Sequence, residues 1–211
     1  MLLEIAKLFL VALPAVFFVV DPIGVVPIFL AITARDSREK TRAMARRACL
    51  AGGGILFFFA IFGGVVFKIL GVSLSAFRVA GGILLLMTAL DMLRAKPSAT
   101  RTTAEEEKEG EAKEDVSLVP LAMPLLAGPG SIATVMVLMS QGRRVVTAVP
   151  VLVSVLLTFA GSYFILAGAT YVQRALKASG VAILQRVMGL VLAAIAVQFM
   201  AAGGKDLLGL H

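Results

Sequence analysis

Two stretches of this chain, residues 8–34 and 116–142, each run for 27 residues, and the two together contain one charged side chain, Asp21. A continuous α-helix of that length measures about 40 Å, more than the roughly 30 Å of hydrocarbon in a bilayer. Four further apolar runs, 48–67, 74–93, 147–172 and 187–204, are set off by charged residues. Across the chain 59% of residues are hydrophobic and 16% charged, against about 45–50% and about 25% in a soluble domain. The pattern predicts an all-α membrane protein of six transmembrane helices.

Several function classes drop out on composition. The net charge of +7 is explained by basic loops beside an apolar bundle, and no soluble basic domain is present to hold nucleic acid. The single cysteine, Cys49, excludes an intramolecular disulfide and a cysteine-cluster metal site. The single histidine, His211, is the last residue. With no Ser/His pair and no metal cluster, the chain is expected not to be an enzyme and to need no cofactor. The N-terminal run is longer than a signal peptide's apolar core and is read as the first span.

Sidedness follows from Lys and Arg. The loops after spans one, three and five carry 14 of them and the opposite side 6. The positive-inside bias places the first set in the cytoplasm and both termini outside. The charged stretch 94–115, with its EEEKEGEAKE run, reads as a solvated cytoplasmic linker.

The linker separates two similar halves, 1–93 and 116–211. An offset of about 108 residues aligns Arg78-Val79 with Arg186-Val187, Gly81 with Gly189 and Met92 with Met200, while Pro22 falls near Pro129. Three spans per half is an odd number, so the second half enters the membrane from the opposite face. The prediction is a pair of inverted three-helix repeats, an architecture of secondary transporters whose sites lie near mid-membrane.

Asp21 is central in the first span and Pro129 in the fourth. Pro breaks or kinks a helix interior but suits the first position of a new helix, with Asp or Gly capping it. Asp21-Pro22-Ile23-Gly24 and Gly128-Pro129-Gly130-Ser131 therefore predict that helices 1 and 4 break at mid-membrane and restart. Each restart offers free amides and a positive dipole end, suited to a carboxylate. Irregular backbone at that depth is tolerated only inside protein or along a polar cavity. A carboxylate at the bilayer centre costs a few kcal/mol and marks a functional candidate. The bland alternative, two prolines kinking packed helices, leaves Asp21 unexplained. Ser131 and Thr134 fall in the first turns after Pro129. Thr33 and Ser140 lie farther down and read as interhelical glue, and the glycines at 52–54, 63–64, 81–82, 161 and 189 as close helix contacts.

The string 21–30, DPIGVVPIFL, resembles the first-span signature of the MarC family of integral inner-membrane proteins, and 124–132, PLLAGPGSI, resembles its second. The resemblance spans essentially the whole chain. It implies grouping with small neutral amino acid transporters, including the SnatA proteins, which carry glycine and alanine. On that reading the substrate carboxylate meets the amides of Gly130, Ser131 and Ile132, with Ile23 and Gly24. Its ammonium meets Asp21 or carbonyls freed by the breaks, and a coupling ion, H⁺ or Na⁺, uses Asp21 or the same freed carbonyls. The expected partners are an amino acid substrate and the lipid bilayer, with a homo-oligomer left open. Two other readings remain: a cation or proton pathway centred on Asp21, and a non-transporting membrane partner that docks through the linker.

Overall fold

The structure is a computed structural model that describes residues 2–69, 71–94, 117–140 and 144–209. The linker at 94–115 lies, apart from Arg94, outside the described residues. Among those residues the protein is all-helical. The elements are α1 (Leu2–Val20), α2 (Pro22–Ile32), α3 (Arg38–Ile69), α4 (Leu74–Leu93), α5 (Ser117–Leu126), α6 (Pro129–Ser140), α7 (Arg144–Ala167) and α8 (Ala169–Leu208). Five helical paths are long and apolar enough to cross a membrane, or six when α5 and α6, bent by 54° at their junction, count as one.

Local chemistry sets most boundaries. Ser73 caps α4 by accepting the Ala76 amide at 3.1 Å, and Ser37 does the same for Lys40 ahead of α3, each supplying an acceptor to an amide with no partner in its own helix. The turn from α3 to α4 passes through Gly71 at φ 67°, a conformation cheap only for glycine. The third span coincides with the expected 74–93. The sixth differs: α8 begins far earlier than residue 187, and is interrupted at Lys177 (φ 55°, ψ 173°), after which Ser179–Leu208 forms the apolar path.

The segment α5 departs most from an ordinary half-helix. It makes wide turns, with Val119 (φ −131°, ψ 122°) and Met123 (φ −134°, ψ 126°) extended, and the Ala127 amide reaches back five residues to Ala122 O at 2.9 Å. Both extended residues precede a proline, Pro120 and Pro124, whose ring pushes its predecessor out of the helical region.

The core runs through the bundle's axis. One apolar cluster joins α1, α2 and α3 to α5, α6 and α7 around Phe29, Met44, Leu56, Leu121, Leu126 and Phe159. A second joins Val19 to α4 and α8 around Leu85, Met92 and Leu192. Large apolar side chains including Leu10, Leu50, Phe58, Leu156 and Phe164 cover the outside, as lipid contact demands. Several interior hydroxyls bond within their own helices, as where Ser154 donates to Pro150 O and Ser162 to Thr158 O, while Thr158 Oγ1 is buried without a partner among the described residues.

Helices α4 and α8 lie alongside each other, antiparallel. A Cβ built on Gly203 would lie 2.7 Å from Ser75 O, one on Gly82 2.6 Å from Met200 Cγ, and one on Gly189 2.9 Å from Ala89 O. Gly52 likewise meets Phe159, Gly63 meets Met136 and Gly81 meets Ala133. Gly54, Gly64 and Gly161, expected at contacts too, face open space, because a helix presents only one face to each neighbour.

Candidate functional site

The first helix stops at Val20 and restarts at Pro22, and Asp21 between them is left-handed (φ 49°, ψ 57°). The following proline disfavours the right-handed region, and Asp is among the few side chains that enter the left-handed one. Asp21 is 2% exposed. Its Oδ1 accepts the Gly24 amide at 3.0 Å, the N-cap bond of a helix with Pro at its first position. A Cβ on Gly24 would collide with both carboxylate oxygens and lie 2.6 Å from Cγ. Glycine at 24 is thus the complement of the carboxylate at 21. The Val25 amide bonds to Asp21 O at 3.2 Å. Pro22 is buried and Ile23 half-buried.

At the second restart Pro129 opens α6 after Gly128, where an added Cβ would meet Pro124 O at 2.6 Å. Ser131 is buried and its hydroxyl donates to Gly128 O at 2.9 Å, with Leu126 O at 3.3 Å. Thr134 is fully buried and donates to Gly130 O at 2.9 Å. Both hydroxyls thus direct their protons at the backbone and keep acceptor lone pairs. The Ile132 amide bonds to Gly128 O at 3.1 Å. Gly130 and Ser131 stand in the first turn, whose amides have no partner within their own helix.

The second restart lies against Val19 at the end of α1: a Cβ on Gly130 would touch its Cγ1 at 3.7 Å and Leu85 at 3.5 Å. Beside the second restart lies a cavity of about 20 Å³ lined by Val19, Leu84, Thr88, Leu125 and residues 128–131, room for about one water. Gly128, Pro129, Gly130 and Ser131 are brought together here. Asp21 stands two residues from the lining residue Val19, with Oδ1 bonded into its own helix. Ile132 and Thr134 lie farther along α6.

Thr88 is the polar residue that sequence reasoning missed. It is buried, bonds to Leu84 O at 3.0 Å and presents its hydroxyl towards Gly130. A signal was present: Thr88 follows Gly81 by seven residues, on the helix face that packs against Ala133 of α6. Of the two hydroxyls expected to join helices, Ser140 does, accepting from Arg78 at 3.1 Å. Thr33 instead bonds to Phe29 O of its own helix.

Residues 6–208 match the family model described as MarC family integral membrane protein. The chain is 38% identical to UPF0056 membrane protein MJ1677 of Methanocaldococcus jannaschii, over 92% of this chain and 95% of that protein. It is 34% identical to a UPF0056 membrane protein of Aquifex aeolicus, over 97% and 96%, and 34% to UPF0056 membrane protein YvbG of Bacillus subtilis, over 92% of each. No solved structure matches it. The match over residues 6–208, from the first span to the last, makes this chain a member of the MarC family of integral membrane proteins.

Proposed function

We propose that this protein is a secondary transporter of small neutral amino acids of the glycine and alanine type, in the inner membrane, with its substrate held between the restarts at Pro22 and Pro129. The observation that carries the reading is a pair of helix starts, one capped by a buried carboxylate and the other bordering, through Gly128 and Gly130, a small cavity that also touches Val19 just ahead of Asp21. A zwitterion matches such a place: its carboxylate faces the first-turn amides of Gly130 and Ser131, and its ammonium faces the Asp21 side. The amides of Gly24 and Ile132 are already bonded within their own helix starts, which narrows the anion-facing set. Little side-chain bulk at Gly128 and Gly130 favours a small substrate. The cavity holds about one water, so this arrangement is closed and transport requires the restarts to move apart.

The packing supports an inverted repeat with helices 1 and 4 broken at mid-membrane, the second break passing through α5. Exchange of the halves carries the contacts of α1 and α2 with α7 onto those of α5 and α6 with α3. It carries α4 against α6 onto α8 against α2, and leaves the pairs α4–α8 and α3–α7 unchanged. In this reading Asp21 or freed carbonyls take the coupling ion, H⁺ or Na⁺, no further cofactor is needed and no reaction is catalysed. The termini stand outside and the linker in the cytoplasm.

The test is uptake of labelled glycine or alanine by proteoliposomes. Asn caps as well as Asp and tolerates the same backbone, so Asp21→Asn is expected to keep the fold and lower uptake at least about tenfold, the worth of one lost charge-assisted contact. Uptake that survives both Asp21→Asn and Gly128→Leu refutes the site. Ion flux that ignores amino acids selects the cation pathway instead.

A further inference from the structure

At the arginine-rich end of the bundle, where α2 turns into α3 and α7 into α8, a second cavity of about 430 Å³ opens. Its wall carries Arg38 and Arg42, one helical turn apart on α3, and Arg174 of α8. Among the described residues none of the three makes an ion pair. One carboxylate, Asp36, also lines the cavity, and Lys40 neutralises it at 2.7 Å. Three guanidinium groups therefore line one space whose one carboxylate among the described lining residues is already paired with Lys40.

The register that pairs Pro22 with Pro129 also pairs Thr33 with Ser140 and residues 59–61 with 166–168. A cavity of about 510 Å³ at the other end is lined by Phe59, Ala60, Ile61, Met136, Met139 and Ser140. Among the described residues that counterpart's lining carries one cation, Lys68. The arginine-lined cavity stands at the end whose loops carry most of the basic residues, and three of those side chains share its lining with apolar ones.

We propose that the arginine-lined cavity is a phosphate-binding site shaped for the headgroup of an anionic phospholipid. Guanidinium forks match phosphate oxygens in pairs, and basic pockets between helices at a membrane surface hold anionic headgroups. The rest of the lining fits a lipid better than a free ion. Leu30 and the fully buried Leu166 form an apolar floor for glycerol and the first acyl carbons, and Tyr171, 78% exposed, stands at the rim where aromatic residues settle at the bilayer interface. The site is independent of the transport reading: a variant dead for uptake still binds the lipid.

The experiment uses the full chain in neutral detergent and measures the thermal unfolding midpoint and bound lipid by native mass spectrometry. The additions are phosphatidylglycerol, phosphatidylcholine or inorganic phosphate. Phosphatidylglycerol is expected to raise the midpoint and remain bound where phosphatidylcholine does not. Arg42→Gln with Arg174→Gln is expected to weaken phosphatidylglycerol binding about tenfold or more. Arg46→Gln with Arg94→Gln, which removes equal charge outside the cavity, is expected to leave it unchanged. An arginine-dependent rise with inorganic phosphate alone supports the phosphate site and assigns it a soluble source. Equal effects of the two lipids, undiminished binding in the Arg42/Arg174 variant, or equal loss in the control variant overturns the proposal. Mass spectrometry reads occupancy in each variant directly, so a lowered starting stability does not mask the answer.

Discussion

Asp21 holds its carboxylate against the Gly24 amide at a cost of roughly 1–3 kcal/mol of left-handed backbone strain, offset in part by a cap bond of about 1 kcal/mol. The sequence announced this arrangement, because Asp before Pro at the centre of an apolar run fits a helix start better than any other local structure. What it did not announce is that Gly24 serves the carboxylate sterically. Gly24→Ala is expected to lower stability by about 1–3 kcal/mol, since the new methyl and the capping carboxylate need the same space. In the Asp21→Gly background the same substitution should be nearly neutral or stabilising, because the collision is gone and Ala favours the helix. Chemical unfolding of the four proteins in detergent measures the coupling. Additive effects would show that Gly24 is there for some reason other than Asp21.

At the scale of elements, prolines are the instructive case. Pro14, Pro27 and Pro150 lie inside helices, whereas Pro120 and Pro124 follow the extended residues that make α5 irregular. Proline content alone does not separate these outcomes. Two prolines four residues apart, each demanding an extended predecessor, leave too few helical residues between them to nucleate a turn. The pair α4–α8 shows the opposite economy, with glycines opening both helices to close approach. Gly82→Leu is expected to cost more than about 2 kcal/mol, because its side chain would have to displace both Met200 Cγ and the Ala196 carbonyl. Gly64→Leu, on an open face, should change stability by less than about 0.5 kcal/mol. Thermal unfolding in the same detergent compares the two directly, and equal losses would contradict the packing.

Across the whole molecule, Arg78 ties three helix ends together. Its guanidinium donates to Asp206 of α8 at 2.7 Å and to Ser140 of α6 at 3.1 Å, while its Nε is buried without a partner. Arg78 is 17% exposed and Asp206 46%, so removing Asp206 leaves the more buried cation without its ion-pair partner, whereas replacing that cation with an apolar side chain removes the need for one. Asp206→Asn is therefore expected to destabilise by about 1 kcal/mol, more than Arg78→Met. The order of the two unfolding midpoints decides the point, and a larger loss in Arg78→Met would mean that the tie is a net source of stability. The same knot holds α6 by its far end, so freeing it should also change uptake if the restarts must separate during transport.

Hydropathy and charge alone determined that this chain lives in a bilayer, roughly where its helices run, and that Asp21-Pro22 and Gly128-Pro129 are helix starts. Those properties follow from the local cost of burying charge and from backbone geometry, which a few adjacent residues specify. Tertiary structure decided what depends on residues distant in the chain: that Val19 lies against Gly130, that Thr88 faces Gly130, and that Arg38, Arg42 and Arg174 share one cavity. It also decided which glycines meet a neighbour, because helix rotation is set by packing of the whole bundle and not by the composition of any one helix.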